Sequence, residues 1–169
     1  MFKGSRLPQA ILLVASAMLS LTSIADGHAD HNTGGHGHGH NPGHELGSMA
    51  QSPAAENARV YFVEPVDGQV ISAGEVQVVF GLSGMVVAPA GSDTPNSGHH
   101  HLLIDVEQLP DMTMPLPASE NIRHYGKGQT ETTLMLAPGR HRLQLVLGNY
   151  AHIPHNPPLM SEVIEITVK

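Results

Sequence analysis

Val76-Gln77-Val78-Val79-Phe80-Gly81 alternates apolar residues at 76, 78 and 80 and stops at glycine, the pattern of a half-buried β-strand. Working outward, the same signature recurs in short runs. Arg59 to Val63 is closed by Pro65 and the Asp67-Gly68 turn, His99 to Val106 is rich in β-formers, and Glu162 to Val168 alternates to the end of the chain. Thr130 to Leu136 is expected to form a hairpin with Arg140 to Leu147 across Ala137-Pro138-Gly139. No window carries an apolar stripe of helical period. Short strands at this spacing over about 100 residues predict one all-β domain, an immunoglobulin-like β-sandwich.

The N-terminal third reads differently. Lys3 and Arg6 precede an apolar run from Ala10 to Leu21 and the small residues Ser23-Ile24-Ala25, so residues 1–25 are expected to be a signal peptide cut after Ala25. The apolar run is shorter than the roughly 20 residues that span a bilayer, and none follows that is long enough. A periplasmic or secreted location with no membrane span after cleavage is the expectation. Residues 26–57 are mostly Gly, His, Asn, Pro, Ser and Ala with little to bury, the composition of a disordered tail. The folded domain is expected over 58–169.

With no cysteine, a metal site would have to use nitrogen, oxygen or thioether sulfur, which excludes thiolate chemistry. The 15 acidic residues outnumber the 8 basic ones, two of which lie in the signal, so nucleic acid is not an expected partner.

The 13 histidines are the chemical signal. Six lie in the tail, where cleavage after Ala25 would place His28 third from a free amine. Amine, two amide nitrogens and imidazole then suit planar Cu(II) or Ni(II). His36, His38 and His40 offer further exchangeable imidazoles. In the domain, strand alternation puts His99 and His101 on one face, and aligns His100 with Leu102, Ile104 and Val106 as an inward, structural histidine. His152 and His155 lie in a proline-stiffened loop, and His124 in the other long connection. The expected ligands are His99, His101, His124, His152 and His155, with His28 at the terminus, and copper as the ion ahead of zinc or nickel. Met85, Met112, Met114 and Met160 read first as core filler, and His141 as surface. No nucleophile-elbow serine and no HExxH occurs, so an enzyme is not expected, although Asp105, Glu107 and Glu131 supply carboxylates. A competing reading is a cell-envelope interaction module, binding a protein or polymer, whose histidines are structural or sense pH.

Tyr61-Phe62, Phe80-Gly81-Leu82, Gly98-His99-His100-His101-Leu102-Leu103-Ile104-Asp105, Gly128-Gln129-Thr130-Glu131 and His152-Ile153-Pro154-His155-Asn156-Pro157-Pro158 together resemble a bacterial exported family, domain-of-unknown-function family 4399. The resemblance runs from Tyr61 to the C-terminus. Val86 stands where the family prefers glycine and Asn149 where it prefers aspartate, and neither is an expected ligand. It implies an exported β domain and brings no activity.

Overall fold

The computed structural model describes residues 50–72 and 74–169; the expected signal peptide, the expected tail up to residue 49 and His28 lie outside the described residues. Among the described residues nine strands follow in order: β1 Arg59–Glu64, β2 Val70–Ile71, β3 Gly74–Ser83, β4 Val86–Val87, β5 Ser97–Ile104, β6 Ile122–His124, β7 Glu131–Leu136, β8 Gly139–Gly148 and β9 Ile164–Val168. They form two sheets, one ordered β1-β3-β7 and one ordered β2-β9-β8-β5-β4, with β6 also paired to β5. There is no helix among the described residues. The expected β-sandwich is what the chain forms.

The alternation read in the sequence builds the core. Val60, Val76, Val78, Phe80 and Leu134 of the smaller sheet pack on Leu102, Ile104, Leu143, Leu145, Leu147 and Ile166 of the larger. A second cluster, Leu103, Leu116, Ile122 and Val146, lies on the opposite face of the larger sheet. That sheet is therefore covered on both faces, and all eight residues of β5 are buried.

Three expectations are corrected. β7 and β8 do not form a hairpin: β7 pairs with β3, and β8 with β5 and β9. Leu134 and the Leu143-Leu145-Leu147 face both belong to the central core, so the chain between them crosses from one sheet to the other. β5 ends at Ile104, because Asp105 takes a positive φ of 55° that breaks the alternation. Val106 consequently packs on the outer cluster, not beside Leu102 and Ile104. Finally, residues assigned to the tail run along the domain: Ala54 N donates to Asn156 O at 3.0 Å, and Asn156 N to Ser52 O at 2.9 Å.

Candidate metal centre

β5 presents His99, His101 and Leu103 to the outer face of the larger sheet, because successive side chains of a strand alternate. β6 pairs beside it with His101 opposite His124 and Leu103 opposite Ile122. One end of this outer face is thus apolar and the other is imidazole. The connection after β8 brings His152 onto the same patch. The four rings of His99, His101, His124 and His152 each offer a nitrogen, and these nitrogens all lie within 4.8 Å of one another. His99 Nε2 and His152 Nδ1 are 3.2 Å apart. Two nitrogens on a tetrahedral zinc-sized ion are separated by about 3.3 Å, given bonds of about 2.0–2.1 Å.

Two glycines make room for the rings. A Cβ on Gly148 would stand 2.7 Å from Cε1 of His101, and one on Gly126 would stand 2.2 Å from Cε1 of His124. His152 is held by the turn after β8. Asn149 Oδ1 accepts from Ala151 N at 2.9 Å and Ile153 N at 3.1 Å, while His152 N donates to Asn149 O at 2.9 Å. His152 adopts a left-handed φ of 66°. For a residue with a Cβ this costs of order 1–3 kcal/mol, and it persists only where the surroundings over-determine it.

The electrostatics favour neutral rings. Burial lowers the pKa of His99 to about 4, helped by repulsion from His124, His152, His100 and His155. Burial and the same kind of repulsion from His99, His124 and His152 lower His101 to about 3. Burial and His152 also lower His124, the exposed member of the group. At neutral pH His99, His101 and His124 therefore each have a lone pair to offer. Among the described residues, Nδ1 of His99 and both ring nitrogens of His101 are buried without a hydrogen-bond partner. Leaving such a group unsatisfied costs about 1–3 kcal/mol each, a cost that a bound cation would offset. The chemistry of the donor set and its orphaned nitrogens fit a metal ion.

The remaining histidines fall elsewhere. His155 is buried, but Nδ1 faces Leu147 O at 3.3 Å and Nε2 faces Ser97 O at 3.2 Å, so it ties β8 to the start of β5 and does not join the group. His155 lies past the left-handed His152, on chain bridged to Gly148 through Pro154 and to Pro53 through Asn156, so its ring turns toward Ser97 and Leu147 and not toward the patch. His100 points inward as expected, 5.1 Å from the Phe80 ring. It is not satisfied, however. Burial lowers its pKa to about 4, and the Gln129 and Gly81 carbonyls lean toward it without closing a good hydrogen bond. His141 is less exposed than a surface residue: Nδ1 meets Asp105 Oδ2 and Nε2 meets Ala137 O, each at 2.8 Å. Met85 packs on the central core and Met112 and Met160 on the outer cluster, which fits their reading as filler, whereas Met114 is exposed and does not fill the core. Sequence reasoning missed Gly126, Gly148 and Asn149 as parts of the site. The Gly148-Asn149 pair at a strand end was the available signal, since it allows close approach and a side-chain-bonded turn.

The fibronectin(III)-like modules of CbhA from Clostridium thermocellum are a solved structure similar to this chain, with 10% identity and a TM-score of 0.32, covering 64% of this chain and 92% of that one. No curated protein matches. The model of a family described as a domain of unknown function, DUF4399, matches residues 78–169, which include all four clustered histidines, Gly126, Gly148 and Asn149. That match starts within β3, later than the Tyr61 at which the resemblance in sequence begins, yet it spans more than half of the chain, and on it the protein belongs to the DUF4399 family.

Proposed function

We propose that this is a periplasmic metal-binding protein that buffers or delivers copper, holding the ion through His99, His101, His124 and His152. The observation that carries the reading is the convergence of four imidazoles, one of them His101 with both nitrogens buried and unpartnered. An all-nitrogen donor set suits copper, zinc and nickel, and among divalent ions copper binds such ligands most strongly. The tail histidines, His28 included, would add weaker and more exchangeable sites.

The competing interaction-module reading expects the histidines to form a satisfied hydrogen-bonded network. Five buried ring nitrogens without partners, on His99, His100 and His101, speak against that. A pH sensor working between about pH 5 and 8 needs groups that titrate there, whereas His99 and His101 are pushed down to about 4 and about 3.

The test is calorimetric titration of Cu(II), Cu(I) under reducing conditions, and Zn(II) into the full chain and into a chain whose six tail histidines are alanine. Stoichiometric, sub-micromolar uptake that survives loss of the tail histidines and disappears in His101→Ala is expected. Uptake that vanishes with the tail histidines sinks the reading.

A further inference from the structure

The four histidines are not held alike. His99, His101 and His124 sit on paired strands, with His101 directly opposite His124. His152 sits on a turn whose shape depends on Asn149, a side chain only 1% exposed. The two ends of that amide face different parts of the molecule. Its oxygen accepts the Ala151 and Ile153 amides of the turn, and its nitrogen donates to Ala50 O and Ser52 Oγ, both at 3.1 Å. The segment that receives these bonds is stitched down further. Gln51 Nε2 donates to Met112 O at 2.8 Å and Pro154 O at 3.2 Å, and Ser52 O accepts from Asn156 N. Residues 50–54 therefore lie as a strap across both loops that cover the outer face.

We infer that Asn149 is a positioning residue for His152, and that the 50–54 strap acts through Asn149 to set how tightly the group keeps its ion. The inference rests on the metal-binding reading above. Its physical content is that the left-handed His152 needs outside support, and that Asn149 is, among the described residues, the side chain bonded to both the turn and the strap. Three histidines make a fixed platform, and His152 is the arm that engages or releases. Loosening the strap frees the arm without disturbing the platform.

The substitutions separate the two halves of the amide. Asn149→Ala removes both. Asn149→Asp keeps the acceptor for the turn and loses the donor to the strap, and Ser52→Ala removes one strap contact while leaving the turn intact. Each is made in the full chain with the six tail histidines replaced by alanine, and titrated with Co(II) alone, whose absorption reports the number of ligands. Asn149→Ala is expected to weaken binding about tenfold or more, in the range of support residues around metal ligands. Asn149→Asp is expected to weaken it by an intermediate factor and Ser52→Ala least. In a His152→Ala background, Asn149→Ala should add almost nothing, because its effect runs through the missing ring.

A loss that is equally large with and without His152 would make Asn149 merely structural and overturn the inference. Wild-type affinity in Asn149→Asp and Ser52→Ala would remove the strap from it. If the parent chain binds no Co(II) at all, the metal-binding reading falls and takes the inference with it, whereas binding that is indifferent to Asn149 defeats the inference alone.

Discussion

His100 and His101 are neighbours on one strand, both buried, both unpartnered and both held neutral, yet they occupy opposite worlds. His100 faces the apolar space between the sheets, against Phe80 and in line with Leu102. His101 faces outward into a patch where three other imidazoles converge. Burial and a missing hydrogen bond therefore do not mark a ligand by themselves. Company does. A lone buried imidazole is a cost to the fold, whereas four whose nitrogens lie within 4.8 Å of one another could hold an ion.

The sharpest way to break this contrast is to remove each ring in turn. His101→Ala should lower metal affinity by roughly a hundredfold or more, beyond the effect of a supporting residue, while His100→Leu should leave it unchanged. Competition with a chromophoric chelator reads both. His100→Leu should also leave stability equal or raise it by about 1 kcal/mol, since an orphaned polar group gives way to an apolar one of similar size. A His100 variant that loses metal would end the distinction between the two faces.

Metal should stabilise the protein through the outer patch only. At an ion concentration about a thousand times Kd, the expected gain is about 4 kcal/mol, seen as a rise in Tm that a chelator reverses. At the same ion concentration His101→Ala should cut that gain to about 1.4 kcal/mol or less, and His100→Leu should keep it whole.

Acid sharpens the comparison between neutral and charged histidines. The folded-state pKa values of His99 and His100 are about 4 and that of His101 is about 3, all below the unfolded value of 6.5. Unfolding therefore takes up protons, and the contribution of these three rings to the stability of the metal-free protein should be flat above about pH 6.5 and fall as pH drops toward 4 and 3. Urea midpoints at stepped pH would show the slope, and midpoints that hold down to pH 4 would contradict these assignments.

The smallest expected effect has the opposite sign. Burial pushes the His141 ring down, but the Asp105 hydrogen bond, the Ala137 carbonyl and the Asp105 charge together raise its pKa. Its contribution is fully present below pH 6.5 and fades as pH rises through the raised folded value. The deficit of His141→Ala should therefore be greater at pH 5.5 than at pH 8, and under about 1 kcal/mol, because the Asp105 side chain is 41% exposed.

The strands were legible because alternation survives even in buried segments: Val76, Val78 and Phe80 face the core as the pattern requires. The same alternation separated His99 and His101 from His100. What the pattern could not supply was partnership. Nothing local in Thr130 to Leu136 says that it pairs back with β3, and β2, β4 and β6 are too short to show a period. His124 reaches the site through three paired residues of β6 inside what reads as loop. His155 was misjudged for a related reason: nearness in sequence to His152 carried no information about where the chain goes after the left-handed turn at His152.

β5 lies between β8 on one side and β4 with β6 on the other, with both faces covered. Its amides should therefore be among the last to exchange with solvent deuterium, opening only when the whole domain does, while those of 149–153, bonded within one turn and not in a ladder, should exchange sooner than β5. An ion gripped by both would have one door that never moves in the folded protein and one that does, so its residence time would be a property of a five-residue turn and not of the sandwich.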